Sequence, residues 1–189
     1  MLSTMAASTR PSERPWVVVQ RNPRSGSGKT RGQLIQLCER LRQRGFHVRM
    51  FRDRERLDTA VRDAAVPPVA IVAAGGDGTV GNVANRHSGL PIAILAQGTE
   101  NLMAKYLKLP KEGGAVADLI MAGKRLKLDT ATLNGTRFLL MAGFGLDAAV
   151  VHRMDETRSG TISHLSYFQP IFRTLRRYCL LYTSPSPRD

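Results

Sequence analysis

The stretch that most constrains the fold is an unbroken apolar run that ends in a glycine-rich segment. Residues 69–74 carry no polar side chain, and they lead directly into Gly75-Gly76-Asp77-Gly78-Thr79. Apolar residues then recur at helical spacing from Val80 onwards. We therefore predict a buried strand, a glycine loop and a helix. Three glycines permit positive φ angles and the close approach of a ligand, and a helix start attracts an anion such as phosphate.

Asp77 adds a negative charge to this predicted loop. A carboxylate beside a bound phosphate would repel it unless a cation lies between them. We therefore predict that a metal ion or a proton acceptor is needed at the same place, with Asp77 as its candidate ligand.

The rest of the chain repeats the alternation of strand and helix. Further strands are predicted at residues 15–20, 46–51 and 90–95, and amphipathic helices separate them. Strands that are apolar throughout predict an α/β fold, in which helices cover both faces of a parallel sheet. Cys38 lies on a helical apolar stripe and is predicted to be a core residue. Met103 and Tyr106, at helical spacing, are assigned to the core as well.

Glycine-bearing loops follow the first, third and fourth predicted strands. The first reads Asn22-Pro23-Arg24-Ser25-Gly26, the second is the Gly75–Thr79 segment, and the third reads Gly98-Thr99-Glu100-Asn101. Parallel sheets bind ligands beyond the carboxyl ends of their strands, where all three loops would lie. The sequence therefore predicts one nucleotide or phosphate site at that edge.

Two familiar nucleotide motifs match the first loop incompletely. A P-loop requires a glycine five positions before Gly28, and Pro23 stands there. A dinucleotide fingerprint that begins at Gly26 would need its third glycine at Arg31. Neither motif accounts for the second loop.

The sequence pattern changes after residue 123. Residues 124–133 and 136–142 flank Asn134-Gly135, a pair that is typical of a type I′ hairpin turn. We predict a disordered tail at residues 1–15, a nucleotide-binding α/β domain at 16–123, and the incomplete start of a β-rich second domain at 124–178. Residues 179–189 are predicted to be a non-native or disordered tail, and the chain is expected to be truncated near Arg177.

The formal net charge of +13 favours anionic partners. Arginines account for most of the cations but are scattered without aromatic stacking residues, so no specific nucleic-acid partner is expected. A weak attraction to anionic lipids agrees with this balance. Residues 1–15 lack the apolar core of a secretion signal, which predicts a cytoplasmic protein, peripheral at the inner membrane face.

The three loop motifs together resemble those of the diacylglycerol kinase catalytic domain family, which includes bacterial lipid kinases and sphingosine and ceramide kinases. The resemblance runs from Trp16 to Tyr178, and residues 142–148 are similar to the Gly-Phe-Asp segment of the family's second domain. It implies transfer of the γ-phosphoryl group of ATP to a lipid hydroxyl at a membrane surface, with Mg²⁺ as the metal and the nucleotide between two domains.

The resemblance also assigns residues by motif position. Those implied to bind the nucleotide are Asn22, Pro23, Ser25, Gly26, Lys29, Gly75, Gly76, Asp77, Gly78, Thr79, Gly98, Thr99 and Asn101. The first four would line the adenosine side, and the Gly75–Thr79 segment would wrap the phosphates. Asp77 is implied to be the catalytic carboxylate and the Mg²⁺ ligand. The family's further catalytic carboxylate and structural metal site would lie beyond residue 189.

Two other functions stay open at this point. One is a non-catalytic fragment that binds anions, membranes or nucleic acid through its basic surface. The other is a soluble-ligand kinase, either similar to NAD kinase, which shares a glycine-rich Asp loop, or of the P-loop class. The sequence predicts neither the acceptor lipid nor the oligomeric state.

Overall fold

Four parallel strands form the central sheet. The computed structural model describes residues 14–23, 25, 28–145 and 148–152. The strands stand in the order β2-β1-β3-β4, with the bounds β1 Trp16–Arg21, β2 His47–Phe51, β3 Ala70–Gly75 and β4 Ile92–Ala96. The helices are α1 Gly28–Gln43, α2 Arg54–Arg62, α3 Asp77–Arg86, α4 Leu102–Tyr106 and α5 Gly113–Ala122. The predicted α/β fold is confirmed.

Helices cover both faces of the sheet because the central strands are apolar on both. Val17 and Val19 of β1 belong to one buried cluster, with residues of α1 and α5. Val18 points to the opposite face and packs in a second cluster with residues of α2, α3 and α4. Burying both faces removes the apolar surface of the strands from water, which is the main stabilising contribution of this domain.

The helices α1 and α5 come into close contact at Gly113, the first residue of α5. A Cβ placed on Gly113 would lie 2.7 Å from the carbonyl carbon of Gln33 and 3.0 Å from the backbone nitrogen of Leu37, both in α1. The Gly113 N–H donates to Oε1 of Gln33 at 2.7 Å. Glycine at this position therefore lets α5 lie directly on the backbone of α1.

Two of the three core assignments named above are confirmed. Cys38 is buried, and burial raises the pKa of its thiol. Met103 is buried, whereas Tyr106 is 72% exposed, so its assignment to the core is wrong. The helical spacing was present, but the buried residues of α4 are Met103 and Ala104, and Tyr106 lies outside the face that they form. Among the described helices, none is long and apolar enough to cross a bilayer.

A short hairpin follows α5. Its strands are β5 Ala131–Leu133 and β6 Thr136–Phe138, paired antiparallel. Asn134 and Gly135 have φ angles of 50° and 75°. Positive φ at both central residues is the requirement of a type I′ turn, so the predicted hairpin is confirmed.

The hairpin is attached to α3 through an asparagine side chain of α3 and an arginine side chain of β6. Asn85 Nδ2 donates to the carbonyl of Arg137 at 2.8 Å, and the Arg137 N–H donates to Asn85 Oδ1 at 2.8 Å. This reciprocal pair reproduces the pattern that a neighbouring strand would make. The Arg137 guanidinium also donates to the carbonyl of Ala84 at 3.0 Å. The Asn85 amide therefore serves as an extra strand partner for β6.

We expect Asn85→Ala to loosen the hairpin on α3, where the hydrogen bond from Arg137 to Ala84 would remain. Two hydrogen bonds to the β6 backbone would be lost, each worth about 1 kcal/mol. Hydrogen exchange should report the change as a roughly ten-fold faster exchange at the Arg137 amide. Asn82→Ala is the matched control, since it removes the same side chain from the same helix. Equal exchange at Arg137 in both variants would contradict this account.

The chain divides after Leu140 by its internal packing, so the hairpin groups with the sheet. In the second unit, residues 148–152 are helical, and the Ala149 N–H donates to the carbonyl of Gly145 at 3.1 Å. The boundary near residue 123 stays a prediction. The predicted tails, apart from residues 14 and 15, and the predicted truncation point lie outside the described residues.

Candidate functional site

The loops after β1 and β3 meet where the sheet changes its direction of winding. From β1 the chain passes through α1 to β2 at one edge, and α2 then returns it to β3 on the other side of β1. The Asn22 N–H donates to the carbonyl of Ala74 at 3.1 Å, and its Nδ2 donates to Oγ1 of Thr79 at 3.4 Å. Ligands of doubly wound sheets bind at such a switch point.

The connection between β3 and α3 is shorter than the predicted glycine loop. Gly75 is the last residue of β3, Gly76 caps α3, and Asp77 already lies in the helix. The expectation of positive φ angles at these glycines is wrong: Gly76 has φ −91°, and neither Gly75 nor Gly78 has a positive φ. A Cβ on Gly75 would overlap the Thr79 side chain, 2.7 Å from its Cβ. Lack of space, rather than an unusual backbone angle, therefore requires glycine here.

Two glycines also bring the second and third loops into direct contact. A Cβ placed on Gly98 would lie 2.5 Å from the Cα of Gly76, and one placed on Gly76 would lie 3.2 Å from the Cα of Gly98. The β3–β4 pairing continues into this contact, because the Gln97 N–H donates to the carbonyl of Gly75 at 2.9 Å. The loops pack backbone against backbone, with no room for a methyl group at Gly98.

Asn101 closes the third loop on itself. Its Oδ1 accepts the N–H of Gly98 at 2.8 Å, and its Nδ2 donates to the carbonyl of Gly98 at 2.7 Å. Asn101 has φ 51° and ψ 47°, a left-handed conformation that asparagine tolerates better than most residues. The asparagine of the predicted motif is thus explained by loop geometry.

Asp77 joins the start of α3 to the start of α4. Its Oδ2 accepts the N–H of Leu102 at 3.0 Å, and its Oδ1 accepts the N–H of Met103 at 2.9 Å. A carboxylate at the first turn of a helix satisfies otherwise unpaired N–H groups and interacts favourably with the helix dipole. Asp77 is therefore a cap for a helix 25 residues further along the chain. Its role as a metal ligand or catalytic carboxylate stays a prediction.

The remaining residues assigned by the resemblance lie in the first and third loops and at the start of α1. The Ser25 N–H donates to the carbonyl of Asn22 at 3.2 Å, which forms a turn that includes Pro23. Thr99 is exposed beside Gly98. Gly26 lies outside the described residues, and only the backbone of Lys29, in the first turn of α1, is described. The structure thus brings the first, second and third loops together at one edge.

Sequence reasoning missed Gln97 as part of this site. Its side chain is buried, and Nε2 donates to the carbonyl of Thr30 in α1 at 3.1 Å. Gln97 therefore connects the loop after β4 to the first helix. The signal was a polar residue at the end of an apolar strand, immediately before Gly98, and such a residue needs a hydrogen-bond partner when buried.

The first turn of α3 has the features that a phosphate requires. The N–H groups of Thr79 and Val80 already donate to the carbonyl of Gly76, which leaves the amides of Asp77 and Gly78 nearest the open helix end. A Cβ on Gly78 would have nothing within 4 Å, so a ligand can approach this backbone closely. These residues fit a phosphate group.

A magnesium ion at this edge would fit one protein carboxylate together with phosphate oxygens. Among the described residues, no group of three or more His, Cys, Asp or Glu side chains could hold a metal ion. Mg²⁺ keeps several waters and commonly binds through one or two carboxylates together with substrate phosphates. Asp77 can supply such a carboxylate. Each of its oxygens already accepts one N–H of α4, so a metal ion would bind through the remaining lone pairs.

Comparison with known proteins agrees with this geometry. The family model for the diacylglycerol kinase catalytic domain matches residues 16–133. A diacylglycerol kinase of Bacillus subtilis (strain 168) is 27% identical over 155 residues, which cover 78% of this chain and 51% of that protein. A protein of Klebsiella pneumoniae (strain 342) named "Probable lipid kinase YegS-like" is 28% identical over 151 residues, covering 76% and 51%.

A solved structure supports the same relationship. A diacylglycerol kinase from Bacillus anthracis str. Sterne superposes with a TM-score of 0.54 at 26% identity, covering 67% of this chain and 50% of that one. The chain therefore spans about half the length of these relatives. The family match covers more than half of the chain and includes the three loops of the site. The chain belongs to the diacylglycerol kinase catalytic domain family.

Proposed function

We propose that this chain forms the nucleotide-binding part of an ATP-dependent lipid kinase. The observation that carries the proposal is the meeting of three family loops at the switch point of a parallel sheet, beside the open N-terminal turn of α3. The names of the relatives support lipid as the acceptor class. Phosphoryl transfer depends mainly on positioning and on neutralising charge, which backbone amides provide well.

Each part of the site would contribute a separate function. The amides of Asp77 and Gly78 would donate to phosphate oxygens, and the Asn22 loop would lie towards the adenosine. The contact between Gly76 and Gly98 holds these amides in place. When bound, ATP would supply the transferred phosphoryl group and Mg²⁺ would offset its charge. Asp77 would orient the ion's water shell while it continues to cap α4.

Transfer of label from γ-labelled ATP tests the proposal. The protein is incubated with Mg²⁺ and, in parallel, with diacylglycerol vesicles, sphingosine vesicles and NAD. We expect label in an organic-extractable product, and we expect Asp77→Asn to reduce it about ten-fold or more, since an ionic hydrogen-bond acceptor is worth about 1.5 to 3 kcal/mol. An Asn side chain retains one acceptor for the α4 amides, so the variant should still fold.

Asp118→Asn is the matched control. It removes the same charge from an exposed site on α5, where Asp118 pairs with Arg40 at 2.9 Å. Its transfer rate should equal that of the unchanged protein. Labelled NAD would identify a kinase for soluble ligands instead. ATP binding without transfer to any acceptor would contradict catalysis by this chain and leave a phosphate-binding fragment.

A further inference from the structure

The outer side of α4 carries an exposed surface of distinct composition. Leu102 is 38% exposed and Tyr106 is 72% exposed, although both are large hydrophobic residues. Lys105 in α4 and Lys108 and Lys111 in the segment that follows it are also exposed, so three of the six lysines of the chain fall within seven residues. We call these five residues the α4 patch.

The backbone of Lys108 marks this patch as more than an ordinary charged surface. The Leu109 N–H donates to the carbonyl of Ala104 at 2.9 Å, and the Lys108 N–H donates to that of Lys105 at 3.1 Å. This is the Schellman pattern of a helix end, in which the left-handed position is usually glycine. Lys108 holds that position with φ 51°. A lysine there costs backbone energy that glycine would avoid.

Neither the helix dipole nor the core explains the lysine at this position. A cation in the last turn of α4 is already supplied by Lys105. Lys108 is exposed, so its side chain does not contribute to the core. A non-glycine residue kept in an unfavourable backbone conformation is a reason to look for a functional contact.

The three lysines of the patch outnumber the two acidic residues that are near them in the sequence. Lys105 Nζ lies 3.3 Å from Oε2 of Glu100, and Glu112 is the other nearby acid in the sequence. Lysine and tyrosine both combine an apolar stem or ring with a polar tip, a composition suited to the boundary between lipid headgroups and acyl chains. A nucleic-acid site would be expected to add several stacking aromatics, and this patch has one.

We propose that the α4 patch docks the protein on an anionic lipid bilayer. Lys108 and Lys111 would lie at the headgroups, and Leu102 and Tyr106 would enter the interface. The hydrogen bonds that the Leu102 and Met103 N–H groups donate to Asp77 fix α4 to the second loop of the candidate site. Docking through this patch would hold that edge of the sheet near the bilayer. A role for this docking in delivering a lipid substrate rests on the proposed lipid kinase function. The docking itself does not depend on that function.

Co-sedimentation with vesicles tests the proposal without ATP. The vesicles are phosphatidylcholine alone and phosphatidylcholine mixed with phosphatidylglycerol. We expect binding to the mixed vesicles that falls with added salt. Lys108→Gly should weaken it about five-fold, equivalent to about 1 kcal/mol for one lysine near an anionic leaflet. The same variant should melt at a higher temperature, because glycine relieves the left-handed backbone. Tyr106→Ser should also weaken binding.

Arg42→Gln is the matched control, since it removes one exposed charge from α1, which packs on the opposite face of the sheet. It should leave vesicle binding unchanged. Equal losses in Arg42→Gln and Lys108→Gly would overturn the proposal in favour of general charge attraction. Binding of an oligonucleotide but not of mixed vesicles would overturn it in favour of nucleic acid. Failure of the ATP assay with intact vesicle binding would overturn the kinase proposal alone.

Discussion

Replacing Gly113 by alanine is expected to lower the free energy of unfolding by about 3 kcal/mol, because overpacking of a close backbone contact has costs of this order. A methyl group at Gly113 would overlap the Gln33 carbonyl group in α1. These are backbone atoms, so relief requires α5 to move away from α1. That movement would also lengthen the hydrogen bond from the Gly113 N–H to the Gln33 side chain.

Urea unfolding measures this effect with a built-in reporter. The single tryptophan, Trp16, is buried at the start of β1, so its fluorescence should change on unfolding. Gly114→Ala is the matched control in the same helix turn. A Cβ on Gly114 has nothing within 4 Å, so this variant should gain up to about 1 kcal/mol from helix propensity. If the two variants were equally stable, the described contact between α1 and α5 would be incorrect.

Gly98→Ala is expected to disrupt the candidate site as well as the fold. The added methyl would lie 2.5 Å from the Cα of Gly76 and 2.9 Å from Oδ1 of Asn101. The third loop would have to move away from the second, and the Asn101 side chain would have to move away from Gly98, which would weaken the hydrogen bonds between these two residues. We expect a loss of about 3 kcal/mol in unfolding free energy and the loss of ATP binding.

Isothermal titration with ATP and urea unfolding would be performed on the same samples. Gly81→Ala is the control, because it lies in α3 and a Cβ there meets nothing within 4 Å. It should bind ATP normally and be slightly more stable. A Gly98→Ala protein that is stable and binds ATP would show that the two loops do not depend on their backbone contact.

The periodicity of the sequence was sufficient to predict the sheet and its helices. Residues 69–74 are apolar throughout because β3 is buried on both faces, and that property is written directly in the residue types. The type I′ turn was equally local, because Asn134 and Gly135 are the residues that such a turn prefers. Features set by neighbouring residues were therefore predictable.

Features set by distant residues were not predictable from the same patterns. The glycines after β3 suggested positive φ angles, whereas the structure explains Gly76 by its contact with Gly98, 22 positions away. Asp77 suggested a metal ligand, and its α4 partners are 25 and 26 positions away. Tyr106 shared the helical spacing of Met103, but α4 buries Met103 and Ala104 and leaves Tyr106 exposed. Contacts between residues so far apart in the sequence form only when the chain folds.

The ring formed by Asn101 and Gly98 has an entropic consequence for binding. A flexible glycine loop would lose conformational freedom when a ligand fixed it, and that loss would weaken affinity. Here the side-chain amide of Asn101 already restrains the loop through one donated and one accepted hydrogen bond. Most of the ordering cost of this loop is therefore met during folding, so a ligand arriving at this edge meets a preorganised surface.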